Sequence, residues 1–351
     1  MQISERLASS HPQPVELCSY PLVWLRGQLI HPTTHRIHFL WRFLLIMSGP
    51  ALFPDRKDVD HSDQLAPLYF LDRSELWDTV KPYNFHYFPK ENFPLHNLQR
   101  SSHVTRVRSM RPLVPTLSLD AQGFEVHRLD TKMKYADFKD EERIQATYFR
   151  ELEKYFNAKL GAKKVRALDF QLRQRDPQFP YFGGKPHPTP QPSLMVHVDV
   201  TLAATKAIIH ELYGDSAAAQ ITKSKFQVIT VWRPLAVPVR DWPLALCDAS
   251  SVDQADFVDT DVIYPNYIAE NRMLHFDADQ KWYWLPDQTA DEVLVFKAID
   301  SDELLSSPCP HGAFPLPGQD QDTMSRRESI DVRLLVMYAD MIYPESKPWA
   351  S

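Results

Sequence analysis

Twenty-nine prolines against nine glycines turn this 351-residue chain away from long uninterrupted helices. Proline fixes one backbone angle and removes a hydrogen-bond donor, so it breaks helix interiors and collects in turns and at strand edges. A loop-rich β architecture suits such a chain better than a helical bundle. None of the nine glycines falls in G-x-G-x-x-G or G-x-x-x-x-G-K-[ST]. That pattern speaks against the usual dinucleotide turn and the P-loop. Hydrophobic residues make up 44% of the chain, enough for a sizeable core. The 39 basic and 45 acidic residues leave a net charge of −6, a poor basis for gripping nucleic-acid backbones.

The three cysteines, Cys18, Cys247 and Cys309, are far apart and odd in number. They form neither a disulfide framework nor a C-x-x-C zinc site, so a reducing, cytoplasmic setting is expected. The apolar run Phe39 to Met47 is interrupted by Arg42 and is too short to span a bilayer. Residues 1–46 mix His, Pro and apolar residues without a period, and Met47-Ser-Gly-Pro would serve as a natural start. Residues 1–60 are therefore read as a weakly ordered, non-conforming extension, and residues 61–351 as one domain.

Ile144, Tyr148, Leu152, Tyr155 and Phe156 recur at three- and four-residue steps, predicting an amphipathic helix over 140–160 that ends at Gly161. A Pro- and Gly-rich loop over 176–192, with Gly183-Gly184, would pass over a surface or cover a site. A strand is predicted over 193–201, then a helix over 202–213 with Gly214 as its cap. Further strands are expected over 225–232, 282–285, 292–299 and 329–338. The resulting picture is helices first and a strand-rich half after them: an α+β fold whose β part is a barrel or sandwich.

Within the predicted strand, His197 and Asp199 lie two apart and project to one face. They make two-thirds of a 2-His-1-carboxylate triad, which holds Fe(II) on one side and leaves open positions on the other. After Asp199 the remaining histidines are His210, His275 and His311. His210 falls on the predicted helix and is a poor ligand. His275 and His311 both remain open at this point. Arg327, Ser329, Asp331 and Arg333 share one strand face, with Ile330, Val332 and Leu334 on the other. Two inward arginines are costly unless an anion neutralises them; the alternative is that Arg327 and Arg333 pair with Asp331 and other acids on an exposed strand. A dicarboxylate such as 2-oxoglutarate fits: Arg327 and Ser329 would hold its C5 carboxylate, with Arg333 near its C1 end. An H-x-D, a later His and an Arg-x-Ser follow the order of Fe(II)/2-oxoglutarate oxygenases, which fold as a double-stranded β-helix, or jelly roll. The spacing of Arg327 and Arg333 is also similar to the paired arginines of AlkB-type dioxygenases.

A closer resemblance lies in the run from Val231 to Asp248 (V-W-R-P-L-A-V-P-V-R-D-W-P-L-A-L-C-D). Lys281-Trp-Tyr-Trp, the run from Asp291 to Ser301, Pro310-His311, the run from Arg327 to Arg333 and the early Leu68-Tyr-Phe-Leu-Asp-Arg extend it. Together they resemble the fungal AsaB-type hydroxylase/desaturase family, grouped with gibberellin desaturase-like, CmcJ-like and NvfI-like enzymes, over about residues 66–345. The resemblance implies an enzyme with a jelly-roll, cupin-like core flanked by helices, using non-haem Fe(II), 2-oxoglutarate and O2. It implies that His197, Asp199 and His311 are the iron ligands and Arg327 the co-substrate anchor. It further implies hydroxylation, desaturation or another oxidation of an unactivated C–H bond in a hydrophobic secondary metabolite, such as a terpenoid, meroterpenoid or polyketide. Val200-Thr201 stands where the family carries a more polar pair, and Gln280-Lys281 where it often shows His-Arg. The reading from another class is a non-catalytic jelly-roll ligand binder derived from such an enzyme. An AlkB-type nucleic-acid demethylase is disfavoured by the acidic balance.

Trp282 and Trp284 are expected on one strand face and Tyr283 on the other. Arg233 is expected in an ordinary salt bridge, the alternative being that it steers a substrate or co-substrate acid; Lys297 is expected to snorkel to the surface or pair with Asp300, and Asp241 and Asp248 to hold loop turns.

Overall fold

The computed structural model describes residues 62–89, 93–181, 187, 189–302, 308–318 and 325–346. The N-terminal extension, the Phe39 to Met47 run and the Gly183-Gly184 pair lie outside the described residues.

Two sheets form the body. Strands β1 (Gln64–Leu71), β2 (Tyr83–Phe85), β3 (Arg100–Ser109), β6 (His197–Val198) and β8 (Leu244–Cys247) belong to the larger one. It is completed by β9 (Phe257–Ile263), β10 (Ile268–Leu274), β11 (Trp282–Trp284) and β13 (His311–Ala313). Its order is β1-β3-β11-β8-β13-β6-β10-β9-β2, and it is mixed, because β11 runs parallel to β3 and β2 to β9. The smaller sheet contains β4 (Phe124–Arg128), β5 (Lys164–Gln174), β7 (Phe226–Pro234), β12 (Glu292–Asp300) and β14 (Glu328–Met337), in the order β4-β12-β7-β14-β5. All its neighbours are antiparallel. This is the jelly-roll arrangement expected from the sequence.

Alternation explains how the sheets meet. On β7 and β12, Trp232, Leu294 and Phe296 join Leu244 and Leu246 of the larger sheet in one buried cluster between the sheets. The alternate residues Ile229, Val231, Val293 and Val295 turn outward. There they are covered by α2 (Phe149–Leu160) through Leu152 and Phe156. Before α2 come a short α1 (Glu141–Arg143) and a π turn, Ile144–Tyr148. Asp140 caps the start by accepting from the Arg143 amide, and Gly161 ends α2 in the left-handed conformation, φ 62°. Helix α3 (Leu202–Ile221) packs Ile209, Leu212, Ala218 and Ile221 against Val198, Val228 and Leu335.

Four expectations change. Strands do not follow the helices: β1 to β4 precede them and belong to both sheets. In β3 polar residues such as Ser102, Thr105 and Arg106 surround the few apolar ones, so its alternation is faint, and its partner β1 lies far away in sequence. The strand predicted over 193–201 shrinks to the two residues of β6. The chain around it stays extended and bonded: the Val196 amide donates to Tyr69 (2.9 Å) and the Thr201 amide to Glu270 (3.2 Å). Gly214 (φ 72°, ψ 166°) stops the first part of α3 as expected, but a second helical segment follows at once. Among the described residues Arg233 forms no ordinary salt bridge; Tyr148 Oη and two carbonyls hold its guanidinium. Trp282 and Trp284 do share a face, in a buried cluster with Phe70 and Val107, while Tyr283 packs on the other side. Lys297 does pair with Asp300 (3.0 Å).

Phe156 is fully buried between α2 and the outer face of the smaller sheet. Phe156→Ala should cost about 3–5 kcal/mol of stability. Urea denaturation checks this; a loss below about 1 kcal/mol would contradict the packing described.

Candidate metal centre and co-substrate pocket

Strand order brings the two histidines together. β6 lies between β13 and β10, and His311 is the register partner of His197. Their imidazoles therefore share a face, with ring centroids 4.5 Å apart. Asp199 follows two residues later in a bend. One ligand atom from each of His197, Asp199 and His311 lies within 4.8 Å of the others. Asp199 Oδ1 is 3.6 Å from His197 Nε2 and 3.4 Å from His311 Nε2. Gly312 permits the close approach of β13 to β6, since a Cβ there would stand 3.0 Å from Val196 Cγ1.

The surroundings orient each donor. His197 Nδ1 lies 2.9 Å from the Met195 carbonyl, and His311 Nδ1 3.3 Å from the Cys309 carbonyl. A carbonyl only accepts, so each Nδ1 carries a proton and each Nε2 is the atom turned toward the centre. Thr230 Oγ1 donates to Asp199 Oδ2 (2.6 Å), leaving Oδ1 toward the histidines. Burial by itself would raise the Asp199 pKa, but His311 and His197 outweigh it and hold the carboxyl well below its usual range. Burial, and then the neighbouring His311, lowers the pKa of His197 and favours its neutral form. Two imidazole nitrogens and one carboxylate oxygen suit a divalent iron that keeps other positions open. Phe296 packs on His311 with centroids 4.4 Å apart, bringing an apolar wall to the site.

The second pocket lies on the inner face of the smaller sheet. Thr230 is the register partner of Arg333, Trp232 of Asp331 and Pro234 of Ser329. These rows advance by about 6.6 Å along the strands. The row carrying Thr230 touches the metal centre, and the row carrying Ser329 lies two steps away. Beyond Ser329, the Arg327 guanidinium is buried, with Nη1 donating to the Trp242 carbonyl (2.6 Å) and its carbon 5.0 Å from the Trp232 ring centroid. Arg327 Nε and Ser329 Oγ, both buried, have no hydrogen-bond partner among the described residues. Burial, reinforced by nearby Arg173, pulls the Arg327 pKa down to about 9. An adjacent fork donor and hydroxyl, both unanswered, match a carboxylate.

Of the predicted residues, His197, Asp199 and His311 converge, and Arg327 and Ser329 lie together. Arg333 is placed beside Thr230, but its charge is answered within the chain: Asp169 receives its Nε (2.7 Å) and Nη2. Burial opposes the charged form of Arg333, yet Asp169 more than offsets it and raises the pKa. His275 lies elsewhere, with Nδ1 2.8 Å from the Leu71 carbonyl, and exposed His210 lies beside Asp215. Asp248 holds a turn through the Ser250 amide as expected, but Asp241 does more. It pairs with Arg175 (2.6 Å) and receives the Arg327 amide (2.7 Å). Sequence reasoning missed Thr230, whose signal was a hydroxyl on an inward position of an apolar strand.

Comparison with known proteins gives the same reading. A family profile described as an oxidoreductase/YMDC permease-like domain matches residues 68–337. The Fe(II)/2-oxoglutarate-dependent dioxygenase nvfI of Aspergillus novofumigatus is 31% identical over 258 residues, covering 71% of this chain and 88% of its own. The alpha-ketoglutarate-dependent dioxygenase tstK of Talaromyces stipitatus is 30% identical over 238 residues, covering 66% and 84%. The solved structure of the iron and alpha-ketoglutarate-dependent endoperoxidase NvfI superposes with a TM-score of 0.68 at 26% identity, covering 80% of this chain and 100% of that one. The chain belongs to the fungal Fe(II)/2-oxoglutarate-dependent dioxygenase family. The enzyme uses Fe(II), 2-oxoglutarate and O2. Among its described residues no helix is long and apolar enough to cross a membrane.

The Thr230 hydroxyl orients a ligand without touching the metal. Thr230→Val should leave the fold intact and weaken Fe(II) binding about 10- to 100-fold. Competition against a chelator under anaerobic conditions checks this, and unchanged affinity would contradict the orienting role.

Proposed function

We propose that the enzyme oxidises an unactivated C–H bond of a small hydrophobic secondary metabolite, a terpenoid, meroterpenoid or polyketide, by hydroxylation, desaturation or a related oxidation. The relatives support this class: one is named a hydroxylase/desaturase, efuI of Hormonema carpetanum, and another an endoperoxidase. His197, Asp199 and His311 hold the iron through Nε2, a carboxylate oxygen and Nε2. Arg327 and Ser329 hold the C5 carboxylate of 2-oxoglutarate, and Arg333 stands near its C1 end. Bound iron, with 2-oxoglutarate and O2, supplies the oxidising power.

The chain's own residues do the rest. Thr230, Met195 and Cys309 fix the three ligands in orientation. Phe296, Trp232 and Leu246 line the adjoining apolar interior and keep water from it. Residues 61–351 act as the oxygenase domain. The buried thiols Cys247 and Cys309, both with pKa values raised chiefly by burial, fit a reducing, cytoplasmic setting. The substrate is a small molecule and not a nucleic acid, in keeping with the acidic balance of the chain.

The observation carrying this reading is the convergence of three oriented ligand atoms beside two unanswered donors. Anaerobic titration of the folded protein with Fe(II) and 2-oxoglutarate tests it through the weak visible charge-transfer band of the chelate. The band should form in wild type and vanish in His311→Ala. No band in folded wild type would leave a non-catalytic jelly-roll binder as the better reading.

A further inference from the structure

A concavity lies on the opposite side of the smaller sheet from the iron centre. It measures about 860 Å³ and opens between α2 and the segment after β4. Its position follows from strand alternation. Thr230 and Trp232 point between the sheets, so Arg233, one residue on, points outward with Val231.

Arg233 forms the floor of this pocket and is only 3% exposed. Its Nε donates to Tyr148 Oη (2.9 Å), Nη2 to the Leu129 carbonyl (2.7 Å) and Nη1 to the Ala290 carbonyl. All three partners are uncharged. Each terminal nitrogen carries two hydrogens and gives one to a carbonyl. Among the described residues this buried guanidinium meets only neutral acceptors and makes no ion pair. Tyr148 ends the π turn and accepts the Arg233 bond, while burial keeps its own phenolic proton in place to donate onward.

The rim is basic in an otherwise acidic protein. Lys132, Lys154 and Lys159 border the opening. Two carboxylates stand there as well, Asp130 and Glu151. Glu151 is already engaged by Thr131 Oγ1 (2.6 Å) and the Lys132 amide (3.0 Å). Between rim and floor, Leu129, Leu152 and Tyr155 give apolar walls. An inorganic anion would leave those walls unused. A carboxylate on an apolar body would place its charge on Arg233 and Tyr148 and its carbon skeleton against the walls.

We propose that this pocket binds a small organic carboxylate with an apolar body, at a site separate from the iron and 2-oxoglutarate pockets. The site stands independently of the reaction the enzyme performs. It backs directly onto the co-substrate pocket, because Arg233 adjoins Trp232, whose ring lies beside Arg327.

The test is a ligand-observed NMR titration of 2-naphthoate into the metal-free full-length protein, with and without saturating 2-oxoglutarate. Saturable binding is expected in wild type, undisturbed by 2-oxoglutarate and retained in Arg327→Ala. Ala158 is an exposed lining residue, so Ala158→Trp would fill the pocket with the fold intact. It should weaken binding about tenfold or more, as should the exposed pair Lys154→Glu and Lys159→Glu. Absence of saturable binding in folded wild type would overturn the proposal. So would displacement by 2-oxoglutarate, which would put the probe in the co-substrate pocket, or binding unchanged in folded Ala158→Trp.

Discussion

The pairing of β13 with β6 is the contact on which the centre depends. Only three residues and two residues make up these strands, yet their register sets His311 opposite His197. A slip of one residue would send an imidazole to the other face of the sheet. Such short strands cannot hold their own register. Here it is held from both sides, by β8 along all three residues of β13 and by β10 along both residues of β6. Gly312 lets the two backbones lie close enough for this, and the extended chain before β6 is tied to β1 through Tyr69. The large sheet thus acts as the frame that keeps two short segments in place.

The smaller sheet supplies the complementary part. Its inner face carries a hydroxyl for Asp199, then Trp232 beside Asp331, then Ser329 and Arg327. Polar groups on an inward face are costly unless something answers them. Thr230 is answered by Asp199, Arg333 by Asp169, and the Arg327 amide by Asp241. The Trp232 indole nitrogen has no partner among the described residues, and neither do Arg327 Nε and Ser329 Oγ. The last two are the groups a carboxylate of the co-substrate requires. An arginine is well chosen here, because its fork keeps two parallel donors ready, whereas a lysine would offer only a point charge.

Much of this was legible in the sequence because it rests on local periodicity. β7 and β12 announce themselves as apolar, β-branched runs, and the two-residue period through β14 put Arg327, Ser329 and Arg333 on one face. The 3.6-residue pattern ending at Gly161 marked the helix that covers the smaller sheet. His197-x-Asp199 gave two ligands, and the choice of His311 over His275 came from family resemblance; the register between β6 and β13 supplies its physical basis. What stayed hidden depends on contacts distant in sequence. β1 and β3 are joined by pairing across dozens of residues, and their polar faces blur the alternation. β6 and β13 are too short to show any period. Thr230 and Asp241 act through partners that no local window contains, Asp199 in one case and Arg175 with Arg327 in the other. Arg333 was placed on the right face, but its ion pair with Asp169 comes from the neighbouring β5.

The most direct test is a crystal structure of the full-length protein grown anaerobically with Mn(II), a redox-silent stand-in for Fe(II), and 2-oxoglutarate. The expected result is one metal ion on His197 Nε2, Asp199 and His311 Nε2, with the far carboxylate of 2-oxoglutarate on Arg327 Nε and Ser329 Oγ. A metal bound without His311, or a co-substrate carboxylate seated away from Arg327, would contradict the site described here.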